Sequence, residues 1–154
     1  MEGWRPTPAL VRSSVAGVGL ATLAVLVRRP DLLVIAAPLL LISFWSVERR
    51  PQRDPVVDER LGQHVLREGQ AIEWMVTLDE PGDARIETVA VLFGAPPSTT
   101  LVPASGVVVA DADQGRTSAR VVMRSIRWGR REVVPPQVVA TSAWAAFRWS
   151  DGRR

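Results

Sequence analysis

Residues 9–47 read ALVRSSVAGVGLATLAVLV, then RRPD, then LLVIAAPLLLISFWSV: two apolar runs, 9–27 and 32–47, parted by four residues. A helix that crosses hydrocarbon needs about 20 largely apolar residues, because each adds about 1.5 Å toward a core of about 30 Å. The first run meets that length if Arg12 snorkels toward the headgroups. The second meets it with its Trp45 end in the interface. Pro30 interrupts helix in the short connection. The pattern predicts a transmembrane helical hairpin. Buried helices of a soluble bundle are the alternative, but neither run carries the polar face that a soluble surface helix shows.

Within the hairpin, Ser13, Gly17 and Ala21 recur every four residues and line one side of the first helix with small side chains. Ala36 and Ala37 offer a similar surface on the second. Trp4, Arg12, Trp45, Arg49 and Arg50 are expected at the membrane interface, where indoles and long cations settle, and Pro38 marks a kink. Arg5, Arg12, Arg49, Arg50 and Arg53 flank the outer ends, against Arg28 and Arg29 in the turn. The positive-inside rule then puts both termini in the cytoplasm. The opposite reading takes Arg28-Arg29 as a twin-arginine export signal. It needs a small-residue cleavage site that residues 43–53 do not supply.

Residues 1–53 thus form a membrane anchor, and residues 56–150 are long enough for one small domain with its own core. The 154 residues contain no Cys, Lys or Tyr, so all 19 basic residues are arginine and neither disulfides nor thiolate ligands are available. Residues 1–55 carry a net charge of +3 and residues 56–154 a net charge of zero. A nucleic-acid-binding domain would carry its basic excess in the folded part, so nucleic acid is not an expected partner. The second part is itself divided, with net −7 over residues 56–115 and net +7 over residues 116–154. Early and late strands that neighbour each other in a sheet would pair these charges, and that reading is preferred. The functional reading is a basic face around Arg124, Arg127, Arg130 and Arg131 for an acidic partner or anionic lipid.

The second part reads as strands. In residues 71–78, Ile72, Trp74, Val76 and Leu78 alternate with more polar neighbours, the period of a half-buried strand. Residues 85–93 alternate with Ile86, Thr88, Ala90 and Leu92 on one side, and Ala95-Pro96-Pro97-Ser98 closes that strand. Further strands are expected at 64–67, 107–110, 118–128, 132–141 and 143–149. Pro135-Pro136 assigns the penultimate one to an edge or a bulge. Six or seven short strands with regular turns predict an antiparallel β-sandwich of immunoglobulin-like type. Candidate chemistry is sparse. His64 is the single histidine and fits a structural role, and Asp111 with Asp113 fits a turn rather than a cation site. No phosphate-binding loop occurs, and serines lack a neighbouring base, so neither enzymatic activity nor a cofactor is expected.

Trp4-Arg5-Pro6-Thr7, a hairpin split by Arg29-Pro30, and Val65-Leu66-Arg67-Glu68-Gly69 together resemble the amino-terminal part of the membrane proteins called domain of unknown function fifty-eight. The segments Arg127-Trp128-Gly129-Arg130-Arg131 and Ser142-Ala143-Trp144-Ala145-Ala146-Phe147-Arg148-Trp149 resemble its later ones, though the family often has Asp-Pro-Phe-Gly-Leu in the last. The resemblance implies a multi-pass protein of the bacterial inner membrane that works with a MoxR-type AAA+ ATPase, often beside a transglutaminase-like membrane protein. Members continue into a von Willebrand A-like region that residues 1–154 do not contain. The expected function is therefore a non-enzymatic, membrane-anchored interaction module with lipid and protein partners. The alternatives are an extracytoplasmic ligand-binding or envelope domain, or a truncated remnant without independent function. In the last case Trp144, Phe147 and Trp149 would form an exposed apolar patch.

Overall fold

The computed structural model describes residues 3–63, 65, 67–80, 86–112, 115–127 and 129–152. Two helices, α1 (Pro8–Val27) and α2 (Asp31–Glu48), form an antiparallel hairpin. Thr7 caps α1: its side chain accepts the Leu10 N–H, and Pro8 occupies the first helical turn, where no amide hydrogen is needed. Arg28 ends α1 in the left-handed conformation, φ 54°, and Asp31 places a carboxylate in the first turn of α2. Helix α2 runs through Pro38. Leu10, Gly17 and Ala24 of α1 and Ala36, Ser43 and Ser46 of α2 are buried, whereas most valines and leucines of both helices are exposed.

The described residues then form β2 (Val56–Leu61), β3 (Ala71–Asp79), β4 (Ile86–Leu92), β5 (Thr99–Val102), β6 (Val107–Asp111), β7 (Arg116–Ser125), β8 (Gln137–Ser142) and β9 (Phe147–Ser150). A two-residue strand ahead of α1, β1 (Arg5–Pro6), completes the set. One antiparallel sheet has the order β1-β9-β8-β4-β6 and the other β2-β3-β7-β5. Two apolar helices followed by two antiparallel sheets is the architecture the sequence predicts at this coarse level.

Alternation builds the core. Ile72, Trp74, Val76 and Leu78 of β3 and Ala119, Val121 and Met123 of β7 point inward and meet Val89, Val91, Phe93, Val138, Ala140, Phe147 and Trp149 from the other sheet. Trp74 is fully buried, packs edge-on against Phe93 at 5.0 Å between ring centroids, and donates its indole N–H to Glu59 Oε1 at 2.9 Å.

Several expectations are corrected. The register of β4 against β8 shifts between Ile86 and Thr88, a bulge that changes the strand's phase. Ile86 therefore shares the core with Val89, Val91 and Phe93, while Leu92 is exposed. Strand β8 lies between β9 and β4 in the sheet interior, because Pro135-Pro136 precede the strand and leave its hydrogen bonding intact. The first strand after the hairpin is β2, and of the expected strand at 64–67 residues 65 and 67 are not strand; His64 and Leu66 lie outside the described residues. The expected final strand at 143–149 is a 3-10 turn, Ala143–Ala145, followed by β9. Ala-rich sequence disfavours strand, and Trp144 and Ala145 adopt φ 65° and 49°.

Candidate functional site

The residues nominated for helix packing are mostly at the hairpin contact. Ser13 Oγ lies 3.3 Å from Ser43 Oγ, and a Cβ placed on Gly17 would be 3.0 Å from the Leu40 side chain. Ala36 is buried and Ala21 half-buried, while Ala37 is exposed outside this contact. Three hydroxyls of α1 are satisfied within the helix: Ser13 and Ser14 donate to Leu10 O, and Thr22 donates to Val18 O.

The residues nominated for the membrane interface divide. Arg12 is exposed, and Trp45 is half-exposed with the Arg49 guanidinium 4.5 Å above its ring. Trp4, expected at the interface, instead belongs to the core of the sheets and is only 4% exposed. Its indole N–H donates to Arg53 O at 3.0 Å, and its own carbonyl accepts from Arg50 Nη2 at 3.2 Å. Arg50 also lies over the Phe147 ring at 5.6 Å. The reason is β1: Arg5 pairs with Arg148 and Pro6 with Phe147, which draws Trp4 inward. The chain ahead of α1 is thus part of the sheet, and it ties the helical hairpin to the β-domain.

A feature the sequence reading missed lies at this seam. The Thr7 hydroxyl, while capping α1, donates to Ala145 O at 2.8 Å, and the Thr7 N–H donates to Ala146 O at 2.9 Å. Across the turn, the Trp144 N–H donates to Glu87 Oε2 at 2.8 Å, from the bulge in β4. Two elements distant in sequence therefore clamp residues 144–146 beside the start of α1. Trp144 is 67% exposed, whereas Phe147 and Trp149 are buried, so the three do not form one exposed patch. The available signal was the Ala-Trp-Ala-Ala run, too poor in β-branched residues for a strand interior.

Of the nominated basic face, Arg131 and Arg124 are engaged in local contacts. Arg131 donates to Ser98 O, to Ser125 Oγ and to Arg127 O, fastening the segment after β7 to the start of β5. Arg124 donates to Gly69 O at 3.1 Å, while Arg127 and Arg130 are exposed. The acidic and basic halves meet between β3 and β7, where Arg116 pairs with Asp79 at 3.1 Å and Arg120 with Glu73 at 3.4 Å. Desolvation pushes the Glu80 carboxyl above the usual glutamate range, opposed by a hydrogen bond from the Ile86 backbone. Asp111 is exposed, and His64 and Asp113 lie outside the described residues. Among the described residues no group of three His, Cys, Asp or Glu side chains is placed to hold a metal ion. Comparison of the chain with protein-family models, curated proteins and solved structures finds no match.

Proposed function

We propose that this chain is a membrane-anchored, non-enzymatic interaction module whose β-domain is held at the bilayer surface on a two-helix hairpin. The observation that carries the reading is the seam: Trp4 in the core, β1 on β9, and Thr7 serving the helix and the 143–146 turn together. A domain on a loose tether needs none of these contacts. Exposed valines and leucines around both helices are what a lipid-facing hairpin carries, and the internally bonded hydroxyls suit a medium without water.

The two sheets support an immunoglobulin-like reading of the β-domain. The order β2-β3-β7-β5 follows that of the four-stranded sheet in such sandwiches, and β9-β8-β4-β6 follows that of its partner sheet. The departure is that β5 and β6 are exchanged in chain order. The arginine bias at the outer ends of the hairpin supports a cytoplasmic β-domain. There the resemblance noted above, to a bacterial inner-membrane protein that works with a MoxR-type AAA+ ATPase, makes such an ATPase the proposed partner. Affinity capture of the full chain from gently solubilised membranes tests this. Recovery of such an ATPase is expected, and its absence under conditions that retain other membrane complexes would count against it.

A further inference from the structure

We infer that Trp144 is a second membrane contact, a side chain of the β-domain that inserts into the lipid headgroup layer beside the hairpin. The inference rests on the membrane reading above and adds a lipid-binding site to it.

Helix α1 has 20 residues, so at about 1.5 Å per residue it is about as long as the hydrocarbon is thick. Its cap, Thr7, then lies at the hydrocarbon boundary, and the headgroup layer extends roughly 5–7 Å beyond it. The Thr7 hydroxyl is 2.8 Å from Ala145 O, and Trp144 is the residue before Ala145, its Cα about 3.8 Å from that of Ala145. The tryptophan backbone is thereby held close to that boundary.

Ser13 opposite Ser43 and Gly17 opposite Leu40 align the helices so that Trp45 lies beside the early turns of α1 and Arg49 one turn further out. Arg12, Trp45 and Arg49 therefore occupy the same end of the hairpin as the 143–146 turn. Indoles and arginines concentrate in that layer because the ring is apolar while its N–H and the guanidinium retain polar partners.

Phe147 and Trp149 on the same segment turn into the core, yet Trp144 is 67% exposed. Its backbone is fixed from both sides, by Glu87 and by the contacts of Thr7, in a left-handed conformation that bulky residues seldom adopt. A packing role does not account for a rigidly held, outward-facing indole; a lipid surface does.

The chain has no cysteine, so one introduced residue carries one label. Nitroxide labels on Trp144→Cys, on Val18→Cys at mid-helix and on Val109→Cys in β6 would be compared in phosphatidylcholine nanodiscs, using oxygen and a water-soluble nickel chelate as relaxants. The expected result is a Val18 label in hydrocarbon, a Val109 label in water, and a Trp144 label several-fold less accessible to nickel than the Val109 label. A Trp144 label as accessible as the Val109 label, with Val18 still protected, would overturn the lipid contact alone. A Val18 label exposed to nickel would overturn the membrane reading and the contact with it. Because the label replaces the indole, the native side chain is read separately with lipids brominated near the headgroup. They should quench the emission that Trp144→Phe removes, and unquenched emission would refute insertion of the ring.

Discussion

Trp144 holds φ 65°, a left-handed backbone that costs a residue other than glycine on the order of 1–2 kcal/mol. Trp144→Gly relieves that cost, so thermal unfolding of the variant in micelles should show unchanged or slightly raised stability while contact with lipid is lost. A fall in stability would mean that the ring is structural. Trp4 should behave in the opposite way. Truncation of a buried tryptophan costs about 3–5 kcal/mol, so Trp4→Ala should sharply lower the unfolding midpoint, where loss of an interfacial indole would change it little. Glu80 adds a pH dependence. Its folded carboxyl titrates above the ordinary glutamate value and its unfolded carboxyl at that value. Between the two, the folded state keeps a proton the unfolded state has released, so stability falls as pH rises through the window and levels off above it. Denaturant titrations across that range should show the fall, and Glu80→Gln should remove it. None of these three roles was legible in the sequence. Trp4 looks like a flank because its partner strand is over 140 residues away, and the fate of Trp144 depends on a clamp built from Thr7 and Glu87.

At the scale of elements, legibility follows regularity. Strands β3 and β7 were readable because inward residues alternate along their length, and the hairpin because its apolar runs are uniform and its turn carries proline. Strand β4 was found, but its bulge set the phase, and a one-residue shift moves side chains to the opposite face. Strands β2 and β5 escaped notice: the first carries three charged residues in six, and the second is four residues long behind Pro96-Pro97. The hairpin contact can be tested as an element. With Ser13 Oγ and Ser43 Oγ 3.3 Å apart, a Ser13→Cys/Ser43→Cys chain should form an intramolecular disulfide on mild oxidation, seen as a mobility shift without reductant. Adding Gly17→Leu should lower the yield, because overpacking against Leu40 costs typically about 1–3 kcal/mol. Equal yields would place the helix contact elsewhere.

For the whole molecule, the opposed charges of the two halves of the β-domain meet within one sheet. The Asp79–Arg116 and Glu73–Arg120 pairs bring them together across β3 and β7, and exposed pairs of this kind contribute about 0–1 kcal/mol each. The hold between hairpin and sheets comes instead from Trp4, β1 and Thr7, and it makes hairpin and domain one structural unit. The proposed function depends on that unit standing across a bilayer, with the Arg28-Arg29 turn on one side and the β-domain on the other. Two single-cysteine chains test this most directly: Arg29→Cys in the turn and Gly69→Cys before β3, each treated with a membrane-impermeant maleimide on intact cells and again after the membrane is opened. Arg29→Cys should be labelled from outside and Gly69→Cys only after opening. Labelling of both positions from the same side would contradict a spanning hairpin, and the reverse pattern would contradict a cytoplasmic β-domain.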